Sequence, residues 1–107
     1  MGDYDFTQEN LCSILQKGSE YPTKGTALAD FFGLTRKGGY QQVRKMIHDM
    51  RLEGYPIGSC HRGYYILTNE VELLDTVRHL NSRIKEIRNA VDSLLEIRFE
   101  EESDDVG

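Results

Sequence analysis

Residues 69–98 contain neither glycine nor proline, and apolar side chains recur there at Leu73, Val77, Leu80, Ile84, Ile87, Val91 and Leu94, at gaps of 4, 3, 4, 3, 4 and 3. The mean gap of the repeat is that of the a and d positions of helices that pack knobs into holes. A strand has no use for it, because a period of two would scatter these residues over both faces. The spacing therefore predicts one long helix over 69–98, opened by Asn69 and Glu72 as an approximate capping box. At 1.5 Å per residue the stripe runs for about 30 Å, more than a head of about 60 residues covers along one side. A monomer in which the helix folds back is therefore less favoured than a homodimer through these seven residues. The repeat itself leaves parallel and antiparallel pairing open.

The 107-residue chain suits one compact core with an extension rather than two full cores. Hydrophobic residues at 38% and charged residues at 29% describe a chain that folds rather than one that stays disordered. Its net charge of −5 is divided unevenly. Residues 1–67 hold eight Lys or Arg against seven Asp or Glu, a net +1, whereas residues 68–107 hold five against eleven, a net −6. The expected organisation is a near-neutral head over 1–68, an acidic stalk over 69–98, and an acidic, disordered tail over 99–107.

Within the head, Leu11, Ile14 and Leu15 mark a first helix over 7–17, capped by Thr7 and stopped by Gly18. Thr26 is placed to cap a second helix over 27–32, with Leu28, Phe31 and Phe32 on one side and Gly33 at its end. A third helix over 39–53 carries Val43, Ile47 and Met50 as its apolar stripe, with Met46 beside it. At about 100° per residue the opposite side carries Gln41, Arg44, Lys45 and His48. Gly54 and Tyr55-Pro56 end it. Strands at 57–59 and 64–67 around a turn at 60–63 complete a hairpin with a cationic tip. Three helices and then a hairpin is the order of a winged helix-turn-helix domain, so the fold class expected is mainly α, with a two-stranded wing and one long C-terminal helix.

The stretch VRKMIHDMRLEGYPIGSCHRGYYIL, residues 43–67, resembles the recognition helix and wing of the biotin-operon-repressor type of winged helix-turn-helix domain. The resemblance lies in an amphipathic helix ending at glycine, a short apolar strand, a polar turn, and a strand opening on Gly63-Tyr64-Tyr65. With ALADFFGLT before it, it covers roughly residues 7–67. It implies double-stranded DNA binding, with the third helix in the major groove and the wing on backbone or minor groove. Carried onto this chain, it points to Gln41, Arg44 and Lys45 on the helix and to His61 and Arg62 on the wing. The chemistry of those residue types agrees: arginine pairs bidentately with guanine, glutamine with adenine, and lysine neutralises a phosphate. The connection TRKGG departs from the family in being longer, and its Arg36 and Lys37 would add phosphate contacts. Tyr40, Tyr64 and Tyr65 are candidates for stacking on nucleotides, although the two wing tyrosines are expected to divide between core and surface. No ligase domain fits in the remaining 40 residues, so the resemblance brings no enzymatic activity.

Other chemistries find little support. Cys12 and Cys60 are far apart and lack close ligand pairs, which predicts free thiols, no disulfide framework and no metal. Cys12 adjoins the core and Cys60 sits at an exposed turn. No nucleophile elbow, phosphate loop or His-Glu-x-x-His is present, so the chain is read as no enzyme, without a cofactor. No run of about 18 apolar residues and no basic-then-apolar start occurs, which predicts a cytoplasmic protein without membrane partners. The alternative to a DNA-binding regulator or accessory factor is a protein-binding module, for example a phage-encoded inhibitor or DNA mimic, acting through the acidic helix.

Overall fold

The computed structural model describes residues 5–34 and 38–99. It is mainly helical: α1 (Gln8–Ile14), α2 (Gly25–Phe31), α3 (Gly39–Leu52), an antiparallel pair β1 (Ile57–Cys60) and β2 (Gly63–Ile66), and the long α4 (Glu70–Leu95). The chain divides into two compact units at Val77 and Arg78, so the first two turns of α4 belong to the first unit. Expected Arg36 and Lys37 contacts, and the tail from residue 100 on, lie outside the described residues.

Local chemistry accounts for most element boundaries. Thr7 caps α1 as expected, its hydroxyl accepting from the Asn10 amide at 3.1 Å. The helix stops at Ile14, three residues short of the expected end, because the chain that follows has another partner. Gln16 and Gly18 exchange backbone hydrogen bonds with Ile66, and Thr23 exchanges two with Tyr64, each at 2.8 Å. β2 is thus paired on both edges: by β1, in the register Ile57–Ile66 to Cys60–Gly63, and by the connection between α1 and α2.

Two expectations for α2 need correction. Its N-cap is Lys24 rather than Thr26, without a side-chain cap bond, and Thr26 lies inside the helix. Phe31 is 45% exposed, whereas Leu28, Ala29 and Phe32 are buried. At about 100° per residue those three span one arc and Phe31 falls outside it. Its ring instead meets the edge of Phe32, centroids 5.1 Å apart.

The core of the first unit joins Leu11 and Leu15, Leu28, Ala29 and Phe32 with Val43, Ile47, Met50 and Ile57. The α3 stripe is buried as its spacing predicts, and a left-handed Gly54 follows the helix. At the start of α3, Gly39 has its Cα against the Leu34 carbonyl, where any Cβ would collide. Tyr65 is buried and Tyr64 half-buried, the division expected of the wing tyrosines. Cys60 is not at an exposed turn; it ends β1, half-buried, and its Sγ accepts from the Arg62 amide.

The opening of α4 is held to the rest of the first unit by two side chains. Thr76 Oγ1, buried, accepts from the Ser59 amide at 3.1 Å and lies 3.4 Å from the Tyr65 hydroxyl. Glu72 accepts from the Thr68 amide and hydroxyl through Oε1, each at 2.9 Å, and from the Ser19 amide through Oε2 at 2.8 Å. Asn69 Oδ1 accepts from the Glu72 amide at 2.8 Å, so half of the expected capping box is present and the glutamate reaches past Asn69 to Thr68. Beyond Val77, the side chains from Ile84 to Leu95 are exposed, the apolar ones included. Among the described residues, no helix is long and apolar enough to cross a membrane.

Replacing Thr76 with valine keeps the shape and removes the acceptor of a buried strand amide. Denaturant unfolding of T76V is expected to show a loss of about 1–3 kcal/mol. The Thr68 backbone amide, then that of Ser19, holds the Glu72 carboxylate below its ordinary range. A folded value below the unfolded one means that the unfolded chain binds more protons between the two. The stabilisation is complete above about pH 5 and is lost as pH falls through the depressed folded value. Thermal melts across the acid range should show a shallower pH dependence for E72Q than for the parent chain, and equal slopes would exclude this role.

Candidate nucleic-acid interface

The outward face of α3 follows directly from its buried one. With Val43, Ile47 and Met50 in the core, Tyr40, Gln41, Arg44, Lys45 and His48 are exposed. Leu52, 75% exposed, continues the row of Gln41, Lys45 and His48 one turn further. The sequence reading passed over Leu52, although the i, i+4, i+7, i+11 spacing places it there.

Two of the cations touch other side chains of α3. The Arg44 guanidinium carbon lies 5.7 Å from the centroid of the Tyr40 ring, within cation–π range. Lys45 Nζ meets Asp49 Oδ2 at 3.3 Å, an i,i+4 pair with both side chains in solvent, where such a contact contributes little. A phosphate can therefore displace Asp49 from Lys45 at small cost.

Tyr40 is itself fixed from two sides. Its ring covers Gly25 at the start of α2, where a Cβ would collide with the ring edge. On its other side stands Tyr64 of β2, near enough for each phenol to influence the other. Burial, then the neighbouring Tyr40, pushes the Tyr64 phenol above its usual value, against the lowering influence of Arg51 and Arg44. Tyr64 thus stays neutral beside Tyr40. Neither Gly25 nor Tyr64 carried a sequence signal for this role, since the contact joins three separate elements.

At the hairpin tip His61 and Arg62 are exposed. The Arg62 guanidinium donates to the Ser19 carbonyl at 3.2 Å, which ties the tip to the connection between α1 and α2. Tyr40 and Arg44 are therefore in contact with each other, while Arg62 is held elsewhere in the same unit. Arg51, also on α3, donates through Nε to the Ile57 carbonyl at 3.0 Å and joins the helix to β1.

In the second unit the acidity expected of the whole stalk is unevenly placed. Between Arg78 and Leu95, α4 carries Arg78, Arg83, Lys85 and Arg88 against Glu86 and Asp92. The acids lie in its opening turns, at Glu70, Glu72 and Asp75, and beyond Leu95. No group of three His, Cys, Asp or Glu side chains among the described residues is arranged to hold a metal ion.

Removing the Tyr40 hydroxyl tests the tyrosine pair. In Y40F the ultraviolet tyrosinate titration assigned to Tyr64, by difference from Y64F, should fall toward the usual 10.0 yet stay above it, because burial is the larger cause. An unmoved midpoint would show that the two hydroxyls do not interact. No protein-family model, curated protein or solved structure matches this chain.

Proposed function

We propose that the chain is a homodimeric, sequence-specific, double-stranded DNA-binding protein of winged helix-turn-helix type, a transcriptional regulator or DNA-transaction accessory factor without enzymatic activity. The observation that carries this reading is the outward face of α3. There Gln41, Arg44, Lys45 and His48 stand opposite a fully buried stripe, on the helix that directly precedes the hairpin.

In this reading α3 enters the major groove. Arg44, steadied on Tyr40, reads guanine, Gln41 reads adenine, and Lys45 exchanges Asp49 for a phosphate. His61 and Arg62 act as the wing, on backbone or minor groove. The second requirement, a pair of reading heads, comes from α4. Ile84, Ile87, Val91 and Leu94 are all at least 47% exposed, a band of a kind that soluble monomers rarely leave uncovered. A dimer covers it and calls for a pseudo-palindromic target. The basic middle of α4 counts against the alternative of a DNA mimic acting through an acidic helix.

Sequences enriched from a random duplex pool provide the probe for a mobility-shift titration. R44A should weaken the enriched site by about 1–3 kcal/mol and relax the preference at one base pair. K45A should weaken all sequences alike and reduce the salt slope by about 1. Binding unchanged in both variants removes α3 as the reading helix, and no binding at low salt removes the DNA reading altogether.

A further inference from the structure

We propose that the second copy lies antiparallel along α4, with Val77, Leu80 and Ile84 of one helix packed against Leu94, Val91 and Ile87 of the other. This rests on the reading of the chain as a dimer and adds its direction and register, which the apolar repeat alone leaves open. The repeat assigns a to Val77, Ile84 and Val91, and d to Leu73, Leu80, Ile87 and Leu94. Direction is decided by the flanking e and g positions. Here these are Leu74, Asn81, Arg88 and Leu95 at e, and Thr76, Arg83 and Ala90 at g.

In a parallel pair each g residue faces the e residue of the following heptad on the other helix. Arg83 would then face Arg88 of the second copy, twice by symmetry. These two arginines are the only charges at e and g between Leu74 and Leu95, so a parallel pair would bring all of its flanking charge together as repulsion. Leu74 would face Asn69, and Leu95 would face Ala90.

Antiparallel helices instead set e against e and g against g. In the register given, Leu74 meets Leu95 of the second copy, Asn81 meets Arg88, and Arg83 meets Ala90. The two leucines, 51% and 72% exposed on the single chain, cover each other. The Asn81 carbonyl accepts from the guanidinium of Arg88, and no like charges face each other along these flanks. Each core layer joins an a residue to a d residue: Val77 with Leu94, Leu80 with Val91, Ile84 with Ile87. Thr76 is already committed to Ser59 in the first unit and takes no part.

The test uses the full chain with Cys12→Ala and Cys60→Ser, and a spin label on Glu96→Cys, an exposed site past the end of α4. Sedimentation establishes the oligomeric state, and dipolar spectroscopy the distance between labels. In the antiparallel register Glu96 lies across from Asp75, an axial offset of about 32 Å at 1.5 Å per residue, so the labels should be at least that far apart. In a parallel pair they sit side by side, within about 20 Å given the helix diameters. A second arm uses R83E. Facing Ala90, it should leave the dimer's strength unchanged, whereas facing Arg88 it would tighten the dimer several-fold. A dimer with the long distance and an indifferent R83E supports the proposal. A dimer with the short distance, or one tightened by R83E, overturns the antiparallel register and leaves the dimer reading intact. A monomer at working concentration overturns both.

Discussion

The first unit depends on the pairing of one four-residue strand on both of its edges. A short strand with a free edge leaves backbone donors and acceptors in search of partners. β2 has β1 on one side and the chain between α1 and α2 on the other, so its groups are satisfied from two separate parts of the sequence at once. That demand ends α1 early and fixes the hairpin to the helices. It also sets Tyr64 where α3 can reach it. On the far edge of β1 the Ser59 amide finds Thr76, so the same accounting draws the start of α4 into the unit.

The outward face of α3 owes its form to this arrangement. Gln41, Arg44 and Lys45 are exposed because Val43, Ile47 and Met50 are buried, but exposure alone would leave them as an ordinary solvated surface. What distinguishes the face is the chain of contacts beneath it, from Tyr64 through Tyr40 to Arg44, with Gly25 providing room for the ring. The net acidity of the whole chain does not oppose such a surface, because the excess of carboxylates over cations arises after residue 67, while residues 1–67 carry a net +1.

What could be read from the sequence was whatever repeats locally. The α3 stripe, the start of α4, the Thr7 cap, the hairpin and the left-handed Gly54 all follow from spacing or from a residue's own backbone preference, whereas α4 ends at Leu95, three residues before the expected Arg98. What could not be read depends on a partner distant in the chain. Phe31 and Phe32 are equally apolar, and only the packing of a seven-residue helix decides which is buried. Thr76 looks like any polar residue in a helix until β1 is placed beside it. Glu72 was legible as half of a capping box, yet its carboxylate serves Thr68 and Ser19. On the outward face of α3, the exposure of Gln41, Arg44, Lys45 and His48 was legible and their contacts were not. Tyr40 entered as a stacking candidate, whereas its contacts make it a support for Arg44.

That support has a thermodynamic side. A free arginine on a helix surface samples many rotamers, and fixing it against a ligand costs up to about 2 kcal/mol of side-chain entropy. Arg44, laid on a ring that itself packs against Gly25, has surrendered part of that freedom before any ligand arrives. Folding has already met part of the ordering cost, and contacts made by Arg44 retain more of their gross strength than the same contacts made from the mobile end of an unsupported side chain.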